Sequence, residues 1–138
     1  MDKPAIFAFL RSRRLAVIST IHPSGAPESA LIGYAVTPSG GVVFDTEANS
    51  RKAANLAARP QAALVVGWEG EETVQIEGLA SRPDGAALES AKAAYFATWP
   101  DGRARALSPG IVHFVIEPRW IRYSSFAPVV EIVEIELG

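Results

Sequence analysis

The sequence predicts a mainly β fold, an antiparallel barrel or strongly curved sheet with helices inserted after hairpins. Three observations lead to this prediction. Short β-branched runs recur along the whole chain, turns rich in proline and glycine separate the first three runs, and helical patterns occur in only three places. Because helices do not alternate with every strand, a doubly wound fold of parallel strands is not expected.

The first half of the chain is predicted to hold two helices and five strands. The segment PAIFAFLRSR is a helix, since Pro4 suits a first helical turn. The second helix begins after Ser50 and ends before Pro60, because proline stops it. The strands include a meander of three and a following pair, at residues 15–21, 28–36, 42–46, 61–69 and 72–81.

The second half is predicted to hold one longer helix and the closing strands. The helix runs from Asp84, its cap, to Thr98, and its apolar stripe consists of Leu88, Ala91 and Tyr95. Residues 99–110 are expected to form a loop. Two strands follow, broken at Pro118, at residues 111–117 and 119–125. The tail PVVEIVEIEL is either a last strand or an arm along a partner, which gives six to eight strands in total.

Composition limits the classes of function. The length of 138 residues fits a single domain over 1–138, and 49% apolar residues support a real core. The net charge of −2 gives no basic excess for binding nucleic acid. Without cysteine, the chain has no disulfide, zinc-thiolate site or cysteine nucleophile. No apolar run is long enough to span a bilayer and no signal peptide is evident, so we expect a cytoplasmic protein without a membrane partner.

The start of the second helix carries an unusual pair of charges. Asn49 and Ser50 read as the N-cap, and Arg51 and Lys52 follow at once, where a helix prefers acidic residues. A bound phosphate would turn this cost into a gain, because free N–H groups, the helix dipole and both cations would face one anion. Thr46 and Ser50 would add hydroxyl donors. The alternative is that both cations are solvated charges on an exposed helix.

The segment ETVQIEG shows clean alternation. Val74 and Ile76 point to one face and polar residues to the other, which indicates a polar groove, a subunit seam or plain solvent exposure. In a groove, Gln75 would hydrogen-bond the heterocycle of a ligand. The two histidines, His22 and His113, lack companions at metal-ligand spacing. Motifs of hydrolases and Rossmann enzymes are absent, so no catalytic side chain is predicted.

Several segments together resemble the pyridoxamine 5′-phosphate oxidase family. FDTEANSRKAANL is similar to its motif for the phosphate of flavin mononucleotide (FMN), and ALIGYAV, VQIEGLA, AAYFATWP and FVIEPRWIRY match other segments in order. The resemblance implies an FMN-binding split β-barrel that forms a homodimer with flavin at the subunit seam. It also implies three sets of cofactor contacts. Arg51 and Lys52 would hold the phosphate with the help of Ser50 and Thr46. Ala30, Leu31 and Ile32 would contact the flavin through backbone atoms, and Gln75 would reach the flavin from the second subunit.

The chain also departs from the true oxidases of this family. Those usually carry an arginine at the start of the second strand, where this chain reads Glu28-Ser29-Ala30. Trp99 stands where a substrate-binding arginine is expected near Tyr95, and the Arg-x-His element after the last strands is missing. We therefore expect an oxidase-related, FMN-dependent oxidoreductase rather than a pyridoxamine 5′-phosphate oxidase, with Tyr95 and Trp99 lining the substrate site.

Three alternatives to an FMN oxidoreductase remain open at this point. The same groove would suit a deazaflavin cofactor in a reductase. A non-catalytic flavin- or haem-binding module associated with stress is the second alternative, and a ligand-free barrel that only dimerises is the third. The sequence names neither the substrate nor the electron donor or acceptor.

Overall fold

A computed structural model describes all residues, 1–138, and contains eight strands and four helices. The prediction of a mainly β fold with inserted helices is confirmed. The elements in chain order are α1 (Lys3–Ser12), β1 (Leu15–Ile21), β2 (Pro27–Gly33), β3 (Ala35–Val36), β4 (Val42–Glu47), α2 (Arg51–Ala58), β5 (Gln61–Val66), β6 (Glu72–Ser81), α3 (Gly85–Thr98), α4 (Gly102–Arg105), β7 (Ile111–Ser125) and β8 (Glu131–Glu136).

All strand pairs are antiparallel, and the sheet curls on itself. The order across the sheet is β2-β1-β5-β6-β7-β4-β3, and β8 pairs separately with β7. The strands at the two ends of this order, β2 and β3, are separated along the chain by Tyr34 alone. The two edges of the sheet are therefore brought together, which gives the sheet the curvature of a barrel.

Two apolar clusters lie on opposite faces of this sheet. The larger fills the inside of the barrel, where strand residues alternate between buried and exposed, as in β5. Helix α1 packs against this larger cluster, and the Tyr34 hydroxyl donates a hydrogen bond to the Leu10 carbonyl of α1 at 2.5 Å. The smaller cluster lies between α3 and the sheet and comprises Ala35, Val43, Ala91, Tyr95 and Phe96.

The predicted break at Pro118 is wrong, because β7 continues through it. Up to Ile116, β7 pairs with β4 on one side; from Trp120 it pairs with β8 on that side. Proline lacks a backbone N–H and is tolerated where a strand has an unpaired edge, and Pro118 falls in this gap between neighbours. A register shift against β6 at Glu77/Gly78 leaves Arg119 as an extra residue, a β-bulge.

Smaller differences concern element ends. The predicted strand 28–36 divides at Tyr34 into β2 and β3, and the predicted loop 99–110 contains α4. Strand β5 ends at Val66, because Gly67 takes a φ of +87° that turns the chain. The tail forms β8, the first of the two alternatives for it. No helix of the chain combines the length and the apolar character needed to cross a bilayer.

Candidate anion-binding site at the start of α2

The first turn of α2 presents unpaired backbone donors. The Ser50 hydroxyl caps the helix by accepting from the Ala53 N–H at 3.2 Å, and the Ser50 carbonyl accepts from Ala54 at 3.1 Å. The N–H groups of Arg51 and Lys52 have no acceptor within the protein. Two orphan donors and the positive end of the helix dipole thus point out of the same turn, which is the arrangement that binds anions.

A cavity of about 280 Å³ lies in front of this turn. Residues of three elements line it, β1, β2 and α2: Ile18, Thr20, Glu28, Ser29, Ala30, Arg51 and Lys52. Thr46 does not line it. Its hydroxyl lies 2.9 Å from that of Ser50, so Thr46 supports the cap from the end of β4. The structure therefore brings together the two predicted cations and Ala30 in one cavity, whereas Ser50 caps the helix and does not line the cavity.

Glu28 is a member of this site that the sequence did not assign. One carboxylate oxygen accepts from Asn55 Nδ2 at 2.8 Å, and the other lies 2.8 Å from Arg51 Nη2 in an ion pair. Asn55, on α2, is only 2% exposed, and its Nδ2 also donates to the Thr20 hydroxyl at 3.0 Å. The Asn55 hydrogen bond, reinforced by the charge of Arg51, lowers the pKa of Glu28 below its ordinary value.

The predicted backbone contacts lie on β2, which is an edge strand that pairs only with β1. Alternate N–H and C=O groups of an edge strand are free of sheet partners. Ala30 lines the cavity, Ile32 is buried on the inner face, and Leu31 is 60% exposed on the outer face. Of the three residues Ala30 alone lines the cavity, and Leu31 and Ile32 lie beyond it on the same edge strand.

Trp99 packs against the far end of β2. A β-carbon on Gly33 would lie 2.7 Å from the Trp99 indole, so the close contact requires glycine. The indole Nε1 donates to the Tyr34 carbonyl at 2.9 Å, and the Arg14 guanidinium lies over the ring at 4.4 Å. Trp99 is half-buried by these contacts. Its role in lining a substrate site stays a prediction.

Tyr95 is 3% exposed and does not line the cavity. Its hydroxyl donates to Asp45 Oδ1 at 3.0 Å, and Arg105 Nε donates to the other oxygen of Asp45 at 3.0 Å. Burial, followed by the charge of Asp45, raises the pKa of Tyr95 to about 12. Within a single chain Tyr95 is almost wholly buried, and its role in lining a substrate site stays a prediction.

Gln75 lies on the outer face of the sheet, in one row across four strands. In register, Leu31 lies opposite Val17, Val17 opposite Val65, and Val65 opposite Gln75. Leu31, Val65 and Gln75 are all exposed, whereas Val74 and Ile76 beside Gln75 are buried. This outer row, residues 17, 31, 65 and 75, does not reach the α2 cavity of the same chain, so contact of Gln75 with a second subunit's flavin stays a prediction.

The largest cavity, about 780 Å³, is a less suitable anion site. It lies between β1, β5, β6 and the end of β8, and its charged lining residues are one cation, Arg119, and two carboxylates, Glu77 and Glu136. That charge balance repels an anion. The two histidines lie outside both cavities, and no three carboxylate or histidine side chains are arranged to hold a metal ion.

The chain is similar in sequence to a known family over most of its length. Residues 2–125 match the family described as pyridoxamine 5′-phosphate oxidase. A pyridoxine/pyridoxamine 5′-phosphate oxidase from Burkholderia lata is 37% identical over 101 residues, which cover 72% of this chain and 45% of that relative. The chain therefore spans less than half the length of this curated relative.

Solved structures share the fold. A haem-binding protein from Mycobacterium smegmatis matches with a TM-score of 0.84 at 18% identity, over 99% of this chain and 59% of that one. A pyridoxamine 5′-phosphate oxidase-related, FMN-binding protein from Nostoc punctiforme matches with a TM-score of 0.70 at 14% identity, over 99% of this chain and 96% of that one. At these identities the likeness shows the fold alone, and the predicted split barrel is confirmed.

Proposed function

The chain belongs to the pyridoxamine 5′-phosphate oxidase family, and from this premise we propose that it binds FMN and acts as a flavin-dependent oxidoreductase. The observation that carries the proposal is the start of α2, where two cations and two unpaired N–H groups face one cavity. A phosphate group satisfies all four at once.

The residues present fit the proposed cofactor. Arg51 and Lys52 would hold the phosphate through side chains and backbone N–H groups, with Ser50 fixing the turn and Thr46 fixing Ser50. Ala30, Leu31 and Ile32 would offer the free backbone groups of an edge strand. FMN, when bound, would supply the redox chemistry. The protein would supply position and charge, so that no side chain of the site need act as a nucleophile or a base.

We also propose a homodimer. The outer row of residues 17, 31, 65 and 75 exposes apolar side chains on a sheet face, with Leu31 60% and Val65 40% exposed. Clustered apolar exposure of this kind marks an interaction surface. A second copy covering this row would bring its own Gln75 toward the first copy's β2. A cytoplasmic location stays a prediction.

Two other ligands remain alternatives for this fold. A deazaflavin cofactor would use the same clamp. Haem is suggested only by neighbours such as the haem-binding protein from Mycobacterium smegmatis. Haem iron commonly takes histidine as its axial ligand, and neither histidine of this chain lines a cavity described above: His113 is 7% exposed, and His22 bonds Ser24 within the β1–β2 turn. The site therefore favours a phosphate-bearing flavin over haem.

Flavin binding tests the proposal directly. We expect the purified protein either to absorb near ~450 nm, as bound flavin does, or to quench the fluorescence of added FMN. The double variant Arg51→Glu with Lys52→Glu is expected to lose FMN binding while remaining folded. Acidic residues suit a helix N-terminus, and the Arg51–Glu28 ion pair that is lost contributes little because the Arg51 side chain is 75% exposed. A matched control is Lys3→Glu with Arg82→Glu, which makes the same change of net charge at two exposed positions.

Two results would contradict the proposal. A wild-type protein that is colourless and does not quench FMN fluorescence does not bind flavin. If wild type and the double variant bind FMN with equal affinity, the phosphate of FMN does not bind at the start of α2. Catalysis requires a separate measurement, reduction of the bound flavin by a nicotinamide donor followed by reoxidation with a candidate acceptor, and light scattering tests the dimer.

A further inference from the structure

Glu28 is held in place inside the proposed phosphate site. Asn55 Nδ2 donates to Oε1 at 2.8 Å, and the Arg51 guanidinium lies 2.8 Å from Oε2. Asn55 is itself fixed, since it is buried in α2 and bonded to Thr20 on β1. The carboxylate is therefore part of a built network across β1, β2 and α2, and not a mobile surface charge.

This network changes the charge that a ligand meets. Arg51 already has a carboxylate partner, whereas Lys52 takes part in no ion pair. Two cations and one carboxylate leave the cavity with a single net positive charge beside the unpaired N–H groups. A phosphate with two negative charges must share Arg51 with Glu28 and approach a carboxylate that repels it.

We propose that Glu28 is an affinity-setting residue, which competes with the ligand's phosphate for Arg51 and keeps the bound flavin nucleotide exchangeable. The inference rests on the proposed function in that it takes the phosphate of FMN as the competing anion. It predicts that the site is weaker for phosphate than its two cations suggest. It also predicts that the lowered affinity for phosphate is caused by the Glu28 side chain alone.

The test compares wild type with Glu28→Gln. Glutamine keeps an oxygen that accepts from Asn55 and removes the negative charge, and far-UV circular dichroism checks that the variant is folded. We expect FMN affinity, measured by fluorescence quenching, to rise at least about tenfold. Riboflavin, which lacks the phosphate, is expected to bind both proteins within about twofold. Glu28→Gln should also retain FMN during gel filtration under conditions in which wild type releases it. The control variant is Glu89→Gln, which removes an exposed carboxylate on α3.

A second readout does not need flavin. Inorganic phosphate is expected to raise the melting temperature of Glu28→Gln more than that of wild type, because ligand binding stabilises the folded state. If phosphate shows this difference and neither protein binds FMN, Glu28 keeps its role and the proposed function falls. If Glu28→Gln gains affinity for neither FMN nor phosphate, or loses FMN with riboflavin unchanged, Glu28 positions Arg51 instead and the inference is overturned.

Discussion

Replacing Gly33 with alanine is expected to destabilise the protein, because the new methyl group would collide with Trp99. An ideal β-carbon at Gly33 lies 2.7 Å from Cζ2 and 2.9 Å from Cε2 of the indole. Carbon atoms in contact are ordinarily about 3.5–4.0 Å apart. The indole must therefore move back by roughly 1 Å, and its hydrogen bond from Nε1 to the Tyr34 carbonyl, now 2.9 Å, is lost or stretched.

The magnitude follows from these two effects. Overpacking of this kind costs about 1–3 kcal/mol, and a lost neutral hydrogen bond adds about 0.5–1.5 kcal/mol. The reduced freedom of the unfolded chain on changing glycine to alanine returns about 0.4–1 kcal/mol. We expect a net loss of about 0.5–4 kcal/mol in the free energy of unfolding, with a central value of about 2 kcal/mol.

Urea unfolding followed by circular dichroism measures this loss without using Trp99 as a probe. The matched control is Gly110→Ala, where an added β-carbon meets nothing within 4 Å, and there we expect no loss. Shortening the indole should relieve the collision, so Gly33→Ala combined with Trp99→Leu should lose less stability than the sum of the two single variants, by about 1 kcal/mol or more. Additive losses in this cycle would refute the proposed collision.

Two further predictions concern the buried His113 and the close backbone contact at Gly78. His113 is buried with no partner for Nε2, and burial lowers its pKa below 6.5, so the unfolded chain takes up a proton that the folded protein resists. The contribution of His113 to the free energy of unfolding is therefore complete above about pH 6.5 and decreases as the pH falls below that value. If urea melts between pH 7 and 5.5 show the same change of the free energy of unfolding with pH for wild type and His113→Leu, this prediction is wrong. Gly78→Ala should cost about 2–3 kcal/mol or more, because its β-carbon would overlap the Glu117 carbonyl, a backbone atom that cannot turn away; a urea midpoint equal to that of Gly110→Ala would show the overlap to be harmless.

The local chain pattern was sufficient for most elements. Strand 15–21 and strand 72–81 were predicted with the ends that the structure has, because β-branched alternation and flanking turn residues act over a few positions. The start of α2 was also predicted, since its cap and its two cations are adjacent in sequence. Strand β7 was predicted with a false break, because the consequence of Pro118 depends on which strands lie beside it, and that is a property of the sheet.

The candidate site was predictable only in part, for the same reason. Arg51 and Lys52 are predictable from sequence because they are adjacent and follow the N-cap of one helix. Glu28 belongs to the site through Asn55, 27 residues away, and Asn55 reaches Thr20, 35 residues away. A carboxylate at the start of a strand carries no local signal of such a network. The family resemblance implies a ligand contact for Tyr95. In the structure this residue of α3 is buried and its hydroxyl donates to Asp45, and the ligand contact stays a prediction.

Strand β8 borders the sheet beyond residues 2–125, the part that matches the family. It covers the second half of the β7 edge, and its own outer edge pairs with no other strand. An exposed edge of this kind is a template onto which strands of other molecules can add. Here the exposed positions of β8 include Glu131, Glu134 and Glu136; Glu131 is paired with the Met1 amino group and Glu134 with Arg122, which leaves Glu136 without an ion pair in the chain. The unpaired charge of Glu136 is therefore the one that disfavours the approach of an identical strand to this border.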